Sequence, residues 1–244
     1  MEQEFLDLLI VLGISDLGIV LGIVIIVGIV APVSIIWLVW HREKKRTAAL
    51  NVVASDIGLE FSATTNDKLL AKMRAFSLFN QGRSRKIKNV MKANTDIPQL
   101  TIFDYQYTTG GGESSHTCHH TVVFMESDAL SLPRFALHPE GWLFQKLGAA
   151  FGMQDIDFED HPEFSQSFVL QGNDEQAIRF FFDAEMRELF TQRKGISVES
   201  KPRAFIYLRG GLRKPEEIRA FMIEAFTIYS GFAERFSRTQ SPFS

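Results

Sequence analysis

The chain has a single cysteine, Cys118, among 244 residues, so no disulfide framework holds it together, as expected of a reducing compartment. No lysine or arginine precedes Arg42. That excludes a secretory signal peptide, which places a basic region ahead of its apolar core. Neither sign of charge dominates: 26 Lys and Arg against 29 Asp and Glu leave a net charge of -3. A dedicated nucleic-acid binder is clearly basic over its domain, so nucleic acid is not an expected partner. Gly110-Gly111-Gly112 lacks the Lys and Ser or Thr that complete a phosphate loop, and it reads as a turn. Internal repeats and low-complexity segments are missing too.

What is present is a long apolar run. Residues 17–40 carry no charge, and about 20 apolar residues suffice to cross the hydrocarbon layer. The segment is expected to be a transmembrane helix. Acidic residues (Glu2, Glu4, Asp7, Asp16) precede it, and His41-Arg42-Glu43-Lys44-Lys45-Arg46 follows directly. Basic flanks stay on the cytoplasmic side, and Trp37 and Trp40 fit the aromatic belt. The expected arrangement is a single-pass protein of the plasma (inner) membrane, with its N-terminus outside and everything after the span cytoplasmic. Residues 1–16 form a short extracytoplasmic lead-in, residues 41–58 a juxtamembrane helix ended by Gly58, and residues 59–244 the cytoplasmic domain. Pro32 marks a local irregularity inside the span. Gly18 and Gly22 form one G-x-x-x-G, a spacing through which two helices can pack as a homodimer.

In the domain, strands are expected over residues 59–62, 86–93, 99–107, 116–126, 164–171 and 203–208, where branched and aromatic residues lie between turn formers. Residues 99–107 and 116–126 flank a glycine-rich loop and read as an antiparallel hairpin. Residues 132–139 read as an edge strand with prolines at its ends. Helical periodicity covers residues 66–76, 141–151, 174–194 (capped by Asn173) and 215–236. Hairpin connections without crossover helices define the fold class as α+β, a mainly antiparallel sheet with packed helices behind an N-terminal transmembrane helix.

Two stretches carry candidate chemistry. In SSHTCHH, residues 114–120, strand alternation puts His116, Cys118 and His120 on one face. Imidazole and thiolate ligands suit zinc, but a fourth ligand has to come from His138, His161 or the acids between Asp155 and Asp160. Cys118 and a neighbouring histidine cannot act as nucleophile and base, because residues two apart on a strand are roughly 6–7 Å apart and attack requires about 3 Å. The acidic stretch DIDFEDHPEF, residues 155–164, departs from the spacing of a calcium loop. The second candidate is basic: Arg83, Arg85, Lys86 and Lys88, together with Arg42, Lys44, Lys45 and Arg46 beside the span, can meet anionic headgroups, each worth about 1 kcal/mol near the surface. Lys86, Lys88 and Lys92 are expected on one strand face, with Ile87 and Met91 on the other.

The ordered motifs FDYQY (103–107), TVVF (121–124), LPRFALHPE (132–140) and DIDFEDHPEFSQSFVLQG (155–172) resemble an uncharacterised bacterial family of membrane-anchored proteins with a cytoplasmic α+β domain. The resemblance implies a topology and a bacterial origin; it brings no activity, substrate or catalytic residue. The expected function is a membrane-anchored, non-enzymatic domain that binds a partner protein or the anionic inner leaflet of the bilayer. The alternative is a metal-dependent hydrolase built on His116, Cys118 and His120 with acids from residues 155–160.

Overall fold

The computed structural model describes residue 3 and residues 16–93, 98–141 and 153–240. The chain divides into two units, Met1–Ala49 and Leu50–Ser244. In the first, helix α1 (Asp16–Ile25) leads into a π-helical turn (Ile26–Val30) and then into helix α2 (Ala31–Asp56). The irregularity expected at Pro32 is this turn, in which the Ala31 N–H donates to the carbonyl of Ile26, five residues back. Residues Ile26–Asp56 are long and apolar enough to cross a membrane. Leu21, Val27, Ile36 and Trp40 all stand more than half exposed, as lipid-facing side chains do. Trp37 stacks on His41 at 5.2 Å, and Lys44 Nζ lies 5.1 Å over the Trp40 ring.

The second unit begins earlier than the boundary at residue 59 expected from sequence. Leu50 and Ala54, on the last turns of α2, are fully buried in its core. Gly58, at φ 76°, then turns the chain into β1 (Leu59–Ser62). There follow α3 (Asp67–Met73), capped by the Asn66 side chain, a 3-10 turn (Ser77–Asn80), β2 (Arg83–Ala93), β3 (Gln99–Thr109), β4 (His116–Glu126), β5 (Phe135–Pro139) and β6 (Gln154–Asp155). The rest is α4 (Pro162–Ser167), β7 (Phe168–Gly172), α5 (Glu175–Phe181), α6 (Ala184–Thr191), β8 (Ile196–Lys201), β9 (Ala204–Arg209) and α7 (Ile218–Gln240).

Among the described residues the strands form one nine-stranded sheet in the order β1-β2-β3-β4-β9-β8-β5-β7-β6, every pair antiparallel. The α+β architecture is the one the hairpin pattern implies. Each sheet face has its own core. One face, here called the helix face, buries Met91, Ile102, Val123, Phe205, Tyr207 and Val198 with Leu50 and Ala54 of α2 and the apolar stripe of α7. The opposite face buries Ile87, Phe103, Tyr105, Tyr107, Val122 and Leu208 under α3 and the 3-10 turn.

Four expectations are corrected. Residues 132–139 do not form an edge strand: β5 pairs with β8 on one side and β7 on the other, Pro133 lies before it, and Pro139 is its last residue, in register with Phe168 of β7 and beyond the pairing with β8. The strand expected over 164–171 begins as a helix, because Pro162 starts α4 and β7 takes over only at Phe168. The long helix expected over 174–194 is two helices. Asp174, not Asn173, caps α5, and Asp183 caps α6 by accepting from the Met186 N–H at 3.0 Å. Strand β8, absent from the sequence reading, pairs with β9 through a two-residue turn at Pro202-Arg203. The helix expected over 141–151 lies outside the described residues except for Gly141.

Candidate functional site

The SSHTCHH strand is explained largely by packing. In β4, His116, Cys118 and His120 alternate to the face opposite the helices, in register with Thr109, Tyr107 and Tyr105 of β3. Exposure falls along them from exposed His116 through half-buried Cys118 to His120, only 7% exposed. His120 ends a column of rings: Phe79 lies 4.4 Å from Tyr105, Tyr105 stacks on Tyr107 at 5.4 Å, and Tyr107 on His120 at 5.8 Å. Burial, with His119 adjacent, lowers the His120 pKa to about 4, so the imidazole is neutral near pH 7. The Tyr107 hydroxyl is pushed well above its usual range, first by burial and then by the neighbouring Cys118.

The other ligands proposed from sequence are not brought to this strand. His138 lies on β5, three strand positions from β4 and on the order of 14 Å away at the usual strand spacing. Asp155 ends β6, five positions away, on the order of 24 Å. Asp160 accepts from Arg187 at 2.5 Å, and His161 is 3.4 Å from Thr191 and 3.9 Å from Glu188, all residues of α6. Among the described residues no three His, Cys, Asp or Glu side chains group so as to hold a metal ion.

The basic stretch is divided by two irregularities in β2. Ser84 and Asn89 have φ of 53°, and at each the pairing with β3 shifts register. Ile87 and Val90 therefore enter the core beneath α3 while Met91 enters the one beneath the helices, which corrects the expectation that Ile87 and Met91 share a face. Lys92 is likewise separated from Lys86 and Lys88, and it lines a recess with Val90, Leu69 and Phe124 under α3. The bulge is fixed from the helix face: the Asn89 amide donates at 2.8 Å to the buried Asp104 carboxylate, which also accepts from the Thr121 hydroxyl at 3.0 Å. Arg213 enters the same network, its backbone N–H donating to Thr121 Oγ1 at 2.9 Å.

Alternation from these anchors puts Arg83, Lys86 and Lys88 on the helix face and Arg85 on the other. Arg85 is occupied in folding the loop before it, donating to the carbonyls of Gln81, Asn80 and Gly82 at 2.7–2.9 Å. Arg83 donates to the Gly110 carbonyl, so it clamps the mouth of the β3–β4 hairpin while keeping an exposed position. Lys86 is exposed and Lys88 half-buried. Arg213, in the loop after β9, reaches this corner through its backbone, while its guanidinium donates to the Gly210 carbonyl at 2.6 Å and lies 6.0 Å over the Phe221 ring. Its signal was the run Arg209-Gly-Gly-Leu-Arg213-Lys214, whose glycines mask it as a plain turn. In the first unit, Arg42, Lys44 and Lys45 are exposed and Arg46 is half-buried along α2.

The fold and these residues define a class: an α+β domain built on one antiparallel sheet, preceded by an apolar helix that is, among the described residues, the one long enough to cross a membrane. No family model matches the chain, and no curated protein is significantly similar to it in sequence. Its structure is similar to the crystal structure of the mycobacterial trehalose monomycolate transport factor A, with a TM-score of 0.52 at 12% identity. The match covers 78% of this chain and 93% of that one. At this identity the likeness is one of fold.

Proposed function

We propose that this is a membrane-anchored, non-enzymatic domain that rests its basic sheet corner on the anionic inner leaflet and presents its remaining surface to a partner protein. The observation that carries the reading is the placement of Arg83, Lys86 and Lys88. They lie on the face whose core also takes in Leu50 and Ala54, the last turns of the helix leading from the apolar span. Leu50, Ala54 and the cations thus share one face of the sheet, and each basic residue near anionic lipid contributes about 1 kcal/mol. The non-enzymatic part is supported by the work the buried charged groups already perform. Asp104 fixes the β2 bulge, Glu199 receives the N–H groups of Ser77 and Leu78, and Arg235 is held by Asp183 and Glu185. Likeness in fold to a transport factor is in keeping with a role other than catalysis. Membership of the bacterial family and pairing of two chains through Gly18 and Gly22 belong to the same proposal.

The test uses the full chain in nanodiscs of anionic or zwitterionic lipid. Lys86 and Lys88 are expected to acetylate more slowly on the anionic surface, and high salt, which screens exposed charges, is expected to remove the difference. Equal rates on both surfaces sink the leaflet contact. Elemental analysis of the same preparation tests the metal-dependent alternative. Stoichiometric zinc that disappears in His116→Ala and Cys118→Ser chains overturns the non-enzymatic reading.

A further inference from the structure

Helices α6 and α7 come together at Gly231, where an added Cβ would lie 2.7 Å from Met186 Sδ. Beside this contact both helices line a groove of about 500 Å³. Its apolar lining is Phe226 of α7, 48% exposed, with Leu189 and Met186 of α6; Ile223, one turn before Phe226 and 57% exposed, lies outside the lining. The rim is acidic, with Glu185, Glu188 and Glu234 around the opening. Two cations stand near these acids. Arg235 is buried and already held by Asp183 at 2.5 Å and Glu185 at 3.0 Å, and Arg238 acts on Asp183. His161 stands 3.9 Å from Glu188. Glu188 also accepts from the Gln192 amide at 2.8 Å, and with Glu234 it leaves the rim net negative beside an exposed aromatic side chain.

We propose that the α6–α7 groove docks an amphipathic helix of a partner protein, one that seats a large apolar side chain against Phe226 and Leu189 and carries lysine or arginine on its flanks. Amphipathic helices bind by laying an apolar face in such grooves, and the charge at the rim selects among them. The inference rests on the partner-binding half of the function proposed above and names its surface; the contact of β2 with lipid is independent of it.

The experiment uses the full chain in zwitterionic nanodiscs and, as probe, a fluorescent amphipathic peptide with leucines and one tryptophan on one face and lysines at both ends. Saturable binding is expected, with hydrogen-exchange protection confined to residues 184–191 and 223–234. Phe226→Ala and the pair Glu188→Lys and Glu234→Lys are each expected to weaken binding by about tenfold or more, as loss of an interface anchor or of complementary charge does. All three positions are exposed, and an unchanged thermal melt confirms that the variants fold. The proposal is overturned if a peptide with glutamates in place of lysines binds equally well, if the variants bind unchanged, or if empty nanodiscs account for the signal. Protection of the two helices that grows with chain concentration in the absence of peptide also overturns it, since the occupant is then a second copy.

Discussion

Asn89 holds a backbone conformation, φ 53°, that few side chains tolerate, and it does so because its amide reaches the buried carboxylate of Asp104. Conformation and hydrogen bond are separable by mutation. Asn89→Gly keeps the first and loses the second; Asn89→Ala loses both. We expect the alanine chain to be the less stable of the two, by about 1 kcal/mol in urea melts, and equal losses would show that the bulge imposes no strain. Glu199 is a second buried carboxylate with defined work, accepting from Ser77 N at 2.7 Å, Ser77 Oγ at 2.6 Å and Leu78 N at 3.2 Å. Glu199→Ala leaves those donors without their partner and is expected to cost about 2–4 kcal/mol, with Glu199→Gln in between. The histidines give stability a pH dependence. Burial lowers the pKa of His120 to about 4, and that of His138 in the same direction, against an ordinary value of 6.5. The unfolded chain therefore takes up protons that the folded one refuses, and stability falls as pH drops from about 6.5 toward 4, at up to about 1.4 kcal/mol per unit per histidine. Denaturant melts across this range should show the slope, and His120→Asn should reduce it. None of these roles was legible in sequence: SSHTCHH looked like a ligand set because its residue types suit zinc, and only the register with Tyr105 and Tyr107 shows where the rings stack.

At the scale of elements, the clearest lesson is the break between α5 and α6. Residues 174–194 carry an uninterrupted apolar stripe, and Ile178, Phe181, Phe182, Met186 and Phe190 are all buried as it implies. Asp183 nevertheless interrupts the helix, because it both caps α6 and receives the buried Arg235 guanidinium from α7, with Oδ2 at 2.9 Å and Oδ1 at 2.5 Å. Arg235 sits 52 residues away, so no local pattern announces it. The Asp183 carboxyl is held below its usual range: burial acts to raise it, and the Arg235 and Met186 hydrogen bonds outweigh that effect. Asp183→Ala removes the cap and one of the two carboxylates on Arg235, which keeps Glu185, and we expect a loss of about 2–3 kcal/mol from the cap and the charged hydrogen bonds together. Asp183→Asn keeps a capping oxygen and should lose clearly less, and thermal melts of the two separate capping from charge. The mistaken edge strand has a related cause. Pro133 and Pro139 are edge signals by composition, yet β5 is flanked on both sides because the prolines stand at its limits and β8, whose ISVESK carries four polar residues, supplies an unexpected neighbour.

For the whole molecule, orientation across the membrane is the largest untested consequence. The basic cluster after the span is expected to keep the domain on the cytoplasmic side. A reporter that works only outside the cytoplasm is expected to be silent when fused at Ser244 and active at the N-terminus, and the opposite result reverses the topology. Local chemistry was enough for the apolar span, the class of the domain, the turn at Gly58 and the β3–β4 hairpin, because each depends on residues adjacent in the chain. Periodicity reports which side chains want to be buried. It does not report against what. Strand order, the assignment of Arg83, Lys86 and Lys88 to one face and Arg85 and Lys92 to the other, and the groove between α6 and α7 arise from contacts between residues distant in sequence. They were decided by bulges, buried ion pairs and pairing partners that exist only once the sheet has closed on its helices.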